Sequence, residues 1–139
     1  MTPEVKIRLS AVITAALANM VVGAVWYSPR VWGKPWLALM GWNQKELQAR
    51  QRHLARAYGW TFVSALILAY FLAHCVLYMK AETPAYGALV GVWVWLGFVA
   101  TTSVGAYLFG GRSPKLYLID QGCQVAMFAV MGVILAVML

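Results

Sequence analysis

Residues 57–79 read AYGWTFVSALILAYFLAHCVLYM, with no Asp, Glu, Lys or Arg at any position. About 20 predominantly apolar residues cross ~30 Å of hydrocarbon at ~1.5 Å per residue, so this segment is long enough to span a bilayer as a helix. Three further stretches lack Lys and Arg over comparable or greater length: Leu9–Pro29, Thr83–Gly111 and Leu116–Leu139. The four together take up more than two thirds of the 139 residues. What remains is scattered and too short to build an independent soluble catalytic core. The alternation of half-buried strands is absent, which argues against a membrane β-barrel. A composition of 63% hydrophobic and 11% charged residues agrees. We therefore predict an all-α integral membrane bundle, a single membrane domain over 1–139. Its four transmembrane helices fall at about 9–28, 58–79, 85–109 and 116–138, with a short interfacial or cytoplasmic helix in the loop 30–56.

The net charge of +7 would suggest nucleic acid in a soluble protein. Topology accounts for it without such a partner. Arg30, Lys34, Lys45, Arg50, Arg52 and Arg56 lie between the first two spans, and Arg112 and Lys115 between the last two, hence on one side of the membrane. Lys6, Arg8 and Lys80 lie on the other. The positive-inside rule places the basic loops in the cytoplasm and both termini outside. Ala16-Leu17-Ala18 resembles a signal cleavage site, but cutting there would export six basic residues, so the first segment is expected to stay as a helix. Trp26, Tyr27, Tyr58, Trp60, Tyr107 and Tyr117 at one boundary, with Tyr78 and Tyr86 at the other, form the expected aromatic belts. Trp93 and Trp95 fall inside the third span and read as packed or lipid-facing rings.

The long loop has two halves. Val31–Trp42 is aromatic and apolar, too short to cross and suited to lying on the headgroups. Asn43 then reads as a helix N-cap with Glu46 in the capping-box position. In the basic helix that follows, Lys45, Arg50, Arg52 and Arg56 are candidates for binding anionic lipid headgroups, at ~1 kcal/mol per basic residue. Anchoring the topology is the plainer role for the same charges.

Polar side chains within the spans are the candidate functional residues, because hydrocarbon makes them costly. Asn19, Ser64, Thr101 and Gln124 each lie about 10–12 Å in from the basic boundary, one per helix, and suggest a shared layer. Interhelical hydrogen bonding is the expected use of such a layer, and a polar waist lining a pathway is the alternative. Asp120 is the one acid within a span. A salt bridge to Arg112, Lys115, Arg30 or Arg56, or a helix-dipole cap, is its expected role, with proton or cation handling the alternative. Cys75 and Cys123 differ in height by about 16 Å and are expected to be free thiols. His74 has no second ligand in view and is expected to be a hydrogen-bonded packing residue. No metal site, cofactor or catalytic constellation is expected, and the chain does not read as an enzyme. Small residues recur every four positions at Ala11, Ala15, Asn19 and Gly23, at Gly87 and Gly91, and at Gly97, Thr101 and Gly105. Such faces let helices approach closely, some of them between subunits of an expected homo-oligomer.

Gly23-x-x-Trp26-Tyr27-Ser28-Pro29, followed by Trp32-Gly33-Lys34-x-Trp36, resembles the opening block of the bacterial "domain of unknown function 1761" membrane proteins. Gly97-Phe98, Thr101-Thr102, Leu108-Phe109, Gly111-Arg112 and Leu118-Ile119-Asp120 resemble the closing block. The resemblance implies a four-helix protein of this length in a bacterial cytoplasmic (inner) membrane, and it implies no reaction, substrate or catalytic residue. The sequence supports two readings of function: a small oligomeric transporter or channel-like protein, or a non-catalytic accessory or lipid-organising subunit of a membrane complex.

Overall fold

The structure, a computed structural model, describes residues 7–139. Lys6 and the N-terminus, to which the sequence assigned a side of the membrane, lie outside the described residues. The protein is an all-helical membrane bundle. Helix α1 (Leu9–Trp26) is followed by two short helices, α2 (Gly33–Met40) and α3 (Gln44–Arg52), and by α4 (Leu54–Tyr78). The third span joins α5 (Pro84–Val94) to α6 (Thr101–Phe109) through a π-helical segment, Trp95–Ala100, and α7 (Pro114–Met138) closes the chain. Four of these units are long and apolar enough to cross a membrane: Leu9–Trp26, Leu54–Tyr78, Pro84–Phe109 and Pro114–Met138.

Local signals set the boundaries. Pro84 and Pro114 each occupy the first turn of their helices, where a missing N–H costs nothing, and the Thr83 and Ser113 hydroxyls accept from Tyr86 N and Lys115 N at 3.2 and 3.1 Å. Asn43 is the N-cap of α3 as expected, its side-chain oxygen accepting from Glu46 N at 2.8 Å. One residue, His53, separates α3 from α4, so the second span begins at Leu54 rather than near residue 58. Nothing in backbone hydrogen bonding halts a helix at the edge of the hydrocarbon, and the run of helix formers from Leu54 carries it outward.

Helix α7 is the axis of the bundle. Leu116, Ile119, Cys123, Met127, Met131 and Leu135 are buried at successive turns along its whole length. Helix α5 lies closest to it: a Cβ on Gly91 would strike the Phe128 carbonyl, and one on Gly87 would strike the carbonyl of Gly132. Helices α1 and α4 pack together and against α7, but only over part of their length. The buried residues of α1 end at Asn19, and those of α4 begin at Ala65. Leu54–Thr61 is exposed throughout, and α6 buries no residue. The half of the bundle away from the basic loops is thus sealed by Val12, Ala15, Leu72, Phe128 and Met131, while at the basic end α4 parts from the other spans.

Candidate functional site

Two constellations stand at the basic end. The first centres on Asp120, in the second turn of α7. The Tyr27 hydroxyl donates to its Oδ1 at 2.7 Å and the Trp36 indole N–H to the same oxygen at 3.0 Å, while the Tyr107 hydroxyl donates to Oδ2. One carboxyl group thereby ties the end of α1, the short helix α2 and the end of α6 to α7. Next to it, Trp26 Nε1 donates to the Ile119 carbonyl at 2.9 Å. The expected salt bridge is not formed: among the described residues Asp120 has no cationic partner within ion-pair distance, and Arg112 instead directs Nη1 at Met40 Sδ, 3.1 Å away. Uncharged donors win here because Tyr and Trp lie at the interface with stiff side chains, whereas Arg30, Arg56, Arg112 and Lys115 extend into solvent.

The Gly23–Trp36 block supplies most of this latch. Ser28 Oγ donates to the Val25 carbonyl at 2.7 Å, and Trp32 N reaches back to Trp26 O at 3.0 Å. Gly33 N donates to Ser28 O at 2.9 Å in a turn so tight that a Cβ on Gly33 would meet the carbonyls of Tyr27 and Ser28. The turn folds α2 back against α7. The Trp32 ring then lies 6.1 Å from Trp26, and Tyr27, Trp36 and Trp42 pack edge-on in succession at 5.5 and 5.2 Å. Pro29 and Lys34 are exposed and contribute no side-chain hydrogen bond to it. The segment Val31–Trp42, expected as an interfacial stretch, is thus a short helix docked through Trp36. Of the four proposed lipid-surface cations, Arg50 stacks over the Trp42 ring at 3.9 Å, and Lys45, Arg52 and Arg56 are exposed.

The second constellation is a groove of about 440 Å³ where α4 parts from α1 and α7. Asn19, Gly23 and Tyr27 of α1, Tyr58 and Thr61 of α4, and Gln124 and Met127 of α7 line it. Asn19 is 94% buried (6% exposed), and its one hydrogen bond is a weak one from Nδ2 to Met131 Sδ at 3.4 Å. The Gln124 amide has no hydrogen-bond partner among the described residues, and Thr61 spends its hydroxyl on the Ala57 carbonyl at 2.7 Å. An outer vestibule of about 730 Å³ continues from it past Trp36, Trp42 and Arg50, sharing Tyr27, Leu54, Ala57 and Tyr58.

The shared polar layer is therefore half of what its depth suggested. Asn19 and Gln124 come together, but Ser64 and Thr101 face outward, and Thr101 Oγ1 returns to the Gly97 carbonyl of its own helix at 2.8 Å. Counting residues locates a side chain along the membrane normal but not around the helix axis, which packing decides. We expect Ser64→Ala and Thr101→Ala to change stability by less than about 0.5 kcal/mol in chemical denaturation. A loss above about 1 kcal/mol would place either residue inside the bundle.

The structure also pairs residues that the sequence left apart. Trp95 Nε1 donates to Gln121 Oε1 at 2.9 Å, and the Tyr117 hydroxyl to the Ala100 carbonyl at 2.7 Å, so the π segment is pinned to α7 at both ends. Gln121 is buried and had no place in the predicted layer. The available signal was Trp95 itself, since an indole N–H in hydrocarbon needs an acceptor. Trp93, by contrast, is exposed. His74 stacks between Tyr70 and Tyr78, centroids 4.8 and 5.9 Å away, with no side-chain hydrogen bond among the described residues, and so packs by ring contact rather than by the expected hydrogen bond. Cys75 and Cys123 are free.

A four-span helical membrane protein with an interfacial helix latched to its last span is the class that this fold and site define. Residues 10–136 match the family model described as "Protein of unknown function (DUF1761)", and the chain belongs to that family. No curated protein and no solved structure matches it.

Proposed function

We propose that the protein is a small carrier, standing in a conformation open at its basic, cytoplasmic end, and not an enzyme. The observation that supports this is the one-sided groove. Two amides with unspent hydrogen-bonding capacity sit at its floor, and the tightly packed apolar core closes it beyond. Amide atoms open to a groove at membrane depth with capacity to spare favour something that enters and satisfies them. Helix α4 is the natural moving part. Asp120 ties α1, α2 and α6 to α7, whereas the exposed Leu54–Thr61 segment of α4 contributes nothing to that latch. Swinging it toward α7 would close the groove.

In this reading the protein works in a bacterial inner membrane as a homo-oligomer. Supporting self-association is the Gly97-Thr101-Gly105 face, where a Cβ on either glycine would meet nothing within 4 Å among the described residues. The same unfilled face favours the second reading, an accessory subunit whose partner packs there.

Cysteine accessibility separates the two. With Cys75 and Cys123 replaced by alanine, Gln124→Cys should react with a membrane-impermeant thiol reagent from the basic side in oriented vesicles. A carrier should also expose Met131→Cys, buried in the present conformation, to reagent from the opposite side. Reaction at Gln124→Cys alone would favour a one-sided binding or accessory role. No reaction at Gln124→Cys from either side would remove the groove from any mechanism.

A further inference from the structure

We infer that the groove takes an uncharged amphiphile: an apolar body carrying a hydroxyl or amide head, admitted sideways from the bilayer between α1 and α4. The inference rests on the carrier reading and specifies its cargo. Three observations lead to it.

The groove floor is polar but uncharged. Among the described residues no Asp, Glu, Lys, Arg or His lines it, and Asp120, bonded to Tyr27 of the lining, has both oxygens occupied by Tyr27, Trp36 and Tyr107. A charged head placed there would lose its hydration with no counter-ion to offset the loss, at several kcal/mol. The unspent groups are mixed in kind. Gln124 offers two donors and an acceptor, Asn19 retains its carbonyl oxygen, and Tyr58 makes no hydrogen bond among the described residues. A hydroxyl or amide both donates and accepts, and so satisfies such a set. A head that only accepts would leave the Asn19 oxygen unmet.

The walls suit an apolar body. Met20, Ala24, Leu54, Ala57 and Met127 form them, and unbranched methionines adapt to irregular apolar shapes. A volume of about 440 Å³ lies in the range that holds small organic molecules, and the vestibule beyond it extends the same trough. The way in is lateral. Leu54, Ala57, Tyr58 and Thr61 on α4 and Ala24 on α1 are all exposed, so the gap between these helices is open on its outer side, and its inner end at Ala24 and Thr61 lies within the spans. The ionisable side chains, Glu46, Arg50 and His53, line only the outer vestibule, where a head in transit still has water.

Three probes sharing one oleyl chain test this: monoolein with an uncharged diol head, oleate, and oleyltrimethylammonium. Each is titrated onto the full-length protein in nanodiscs, with native mass spectrometry counting bound copies. We expect selective retention of monoolein, weakened about tenfold or more by Gln124→Leu and by Asn19→Leu, and unchanged by Ser64→Ala outside the groove. Gln124→Leu preserves shape and sits where the bundle is open, so it reports on binding even if Asn19→Leu disturbs the core. Preference for oleate or the ammonium probe, with loss on Gln124→Leu, would overturn the uncharged class while leaving the groove and the carrier reading in place. Retention of monoolein insensitive to both substitutions, or of no probe at all, would overturn the inference. The cysteine reactivity of Gln124→Cys and Met131→Cys then reports separately whether the carrier reading survives.

Discussion

Replacing Gly91 by alanine is expected to prise α5 from α7 and to cost about 3 kcal/mol, the upper end of what overpacking a rigid contact does. The new methyl group would lie against the Phe128 carbonyl, and the next nearest atoms are also α7 backbone. No side-chain rotamer can relieve such a collision, so the helices must move apart. That movement strips contacts along the Gly87–Gly132 approach, where each backbone is the other's nearest neighbour. Van der Waals packing is a principal source of helix association in lipid, so little else compensates. Gly59→Ala is the matched control, since a Cβ there meets nothing within 4 Å among the described residues. Unfolding in a graded detergent mixture, followed by circular dichroism, should show a large downward shift for Gly91→Ala and none for Gly59→Ala. Equal midpoints for the two variants would mean that the α5–α7 contact is not as close as described.

Asp120→Ala is expected to release α2 from the bundle at a cost of about 3 kcal/mol. Hydrogen bonds to a carboxylate contribute about 1.5–3 kcal/mol each, and three donors lose their acceptor at once. The sum is not additive, because freed Tyr27, Tyr107 and Trp36 can recover water at the interface. Asp120→Asn should fall between the two, since its amide keeps one carbonyl oxygen but turns an N–H₂ toward a donor. The distinguishing readout is local. Hydrogen exchange across Gly33–Met40 should accelerate in Asp120→Ala while the core turns around Phe128 and Met131 keep their protection. If α2 stays protected, the latch is held by the aromatic stack of Tyr27, Trp36 and Trp42 and not by the carboxyl group.

Asp120 also shows how far the residues could be read unaided. Its helix, its depth and its costly position in a span were all legible, but its partners were not. Four cations lay close in sequence to the basic boundary and none engages it, whereas Trp36 and Tyr107, far away along the chain, do. The short motif from Gly23 to Trp36 carried the family likeness, and its Trp26, Tyr27, Ser28, Gly33 and Trp36 build most of the latch. A pattern of Trp, Tyr, Gly and Pro spaced over one turn and a short helix says that something tight is formed, but not what it grips.

The four spans, their approximate limits, the small-residue contact of α5 and the cap at Asn43 were determined by the sequence. Each depends on a local quantity, whether apolar length against membrane thickness, a missing Cβ or a hydroxyl next to a helix start. Rotation about each helix axis is different. It is set by how all four helices share one interior, and no single segment encodes it. That is why Asn19 and Gln124 meet in the groove while Ser64 and Thr101, at the same depth, look out into lipid. It is also why the bundle is sealed at one end and parted at the other. Bulk along α7 is matched by alanines of α4 only in the half beyond Ala65, and where that match ends α4 separates and the groove begins.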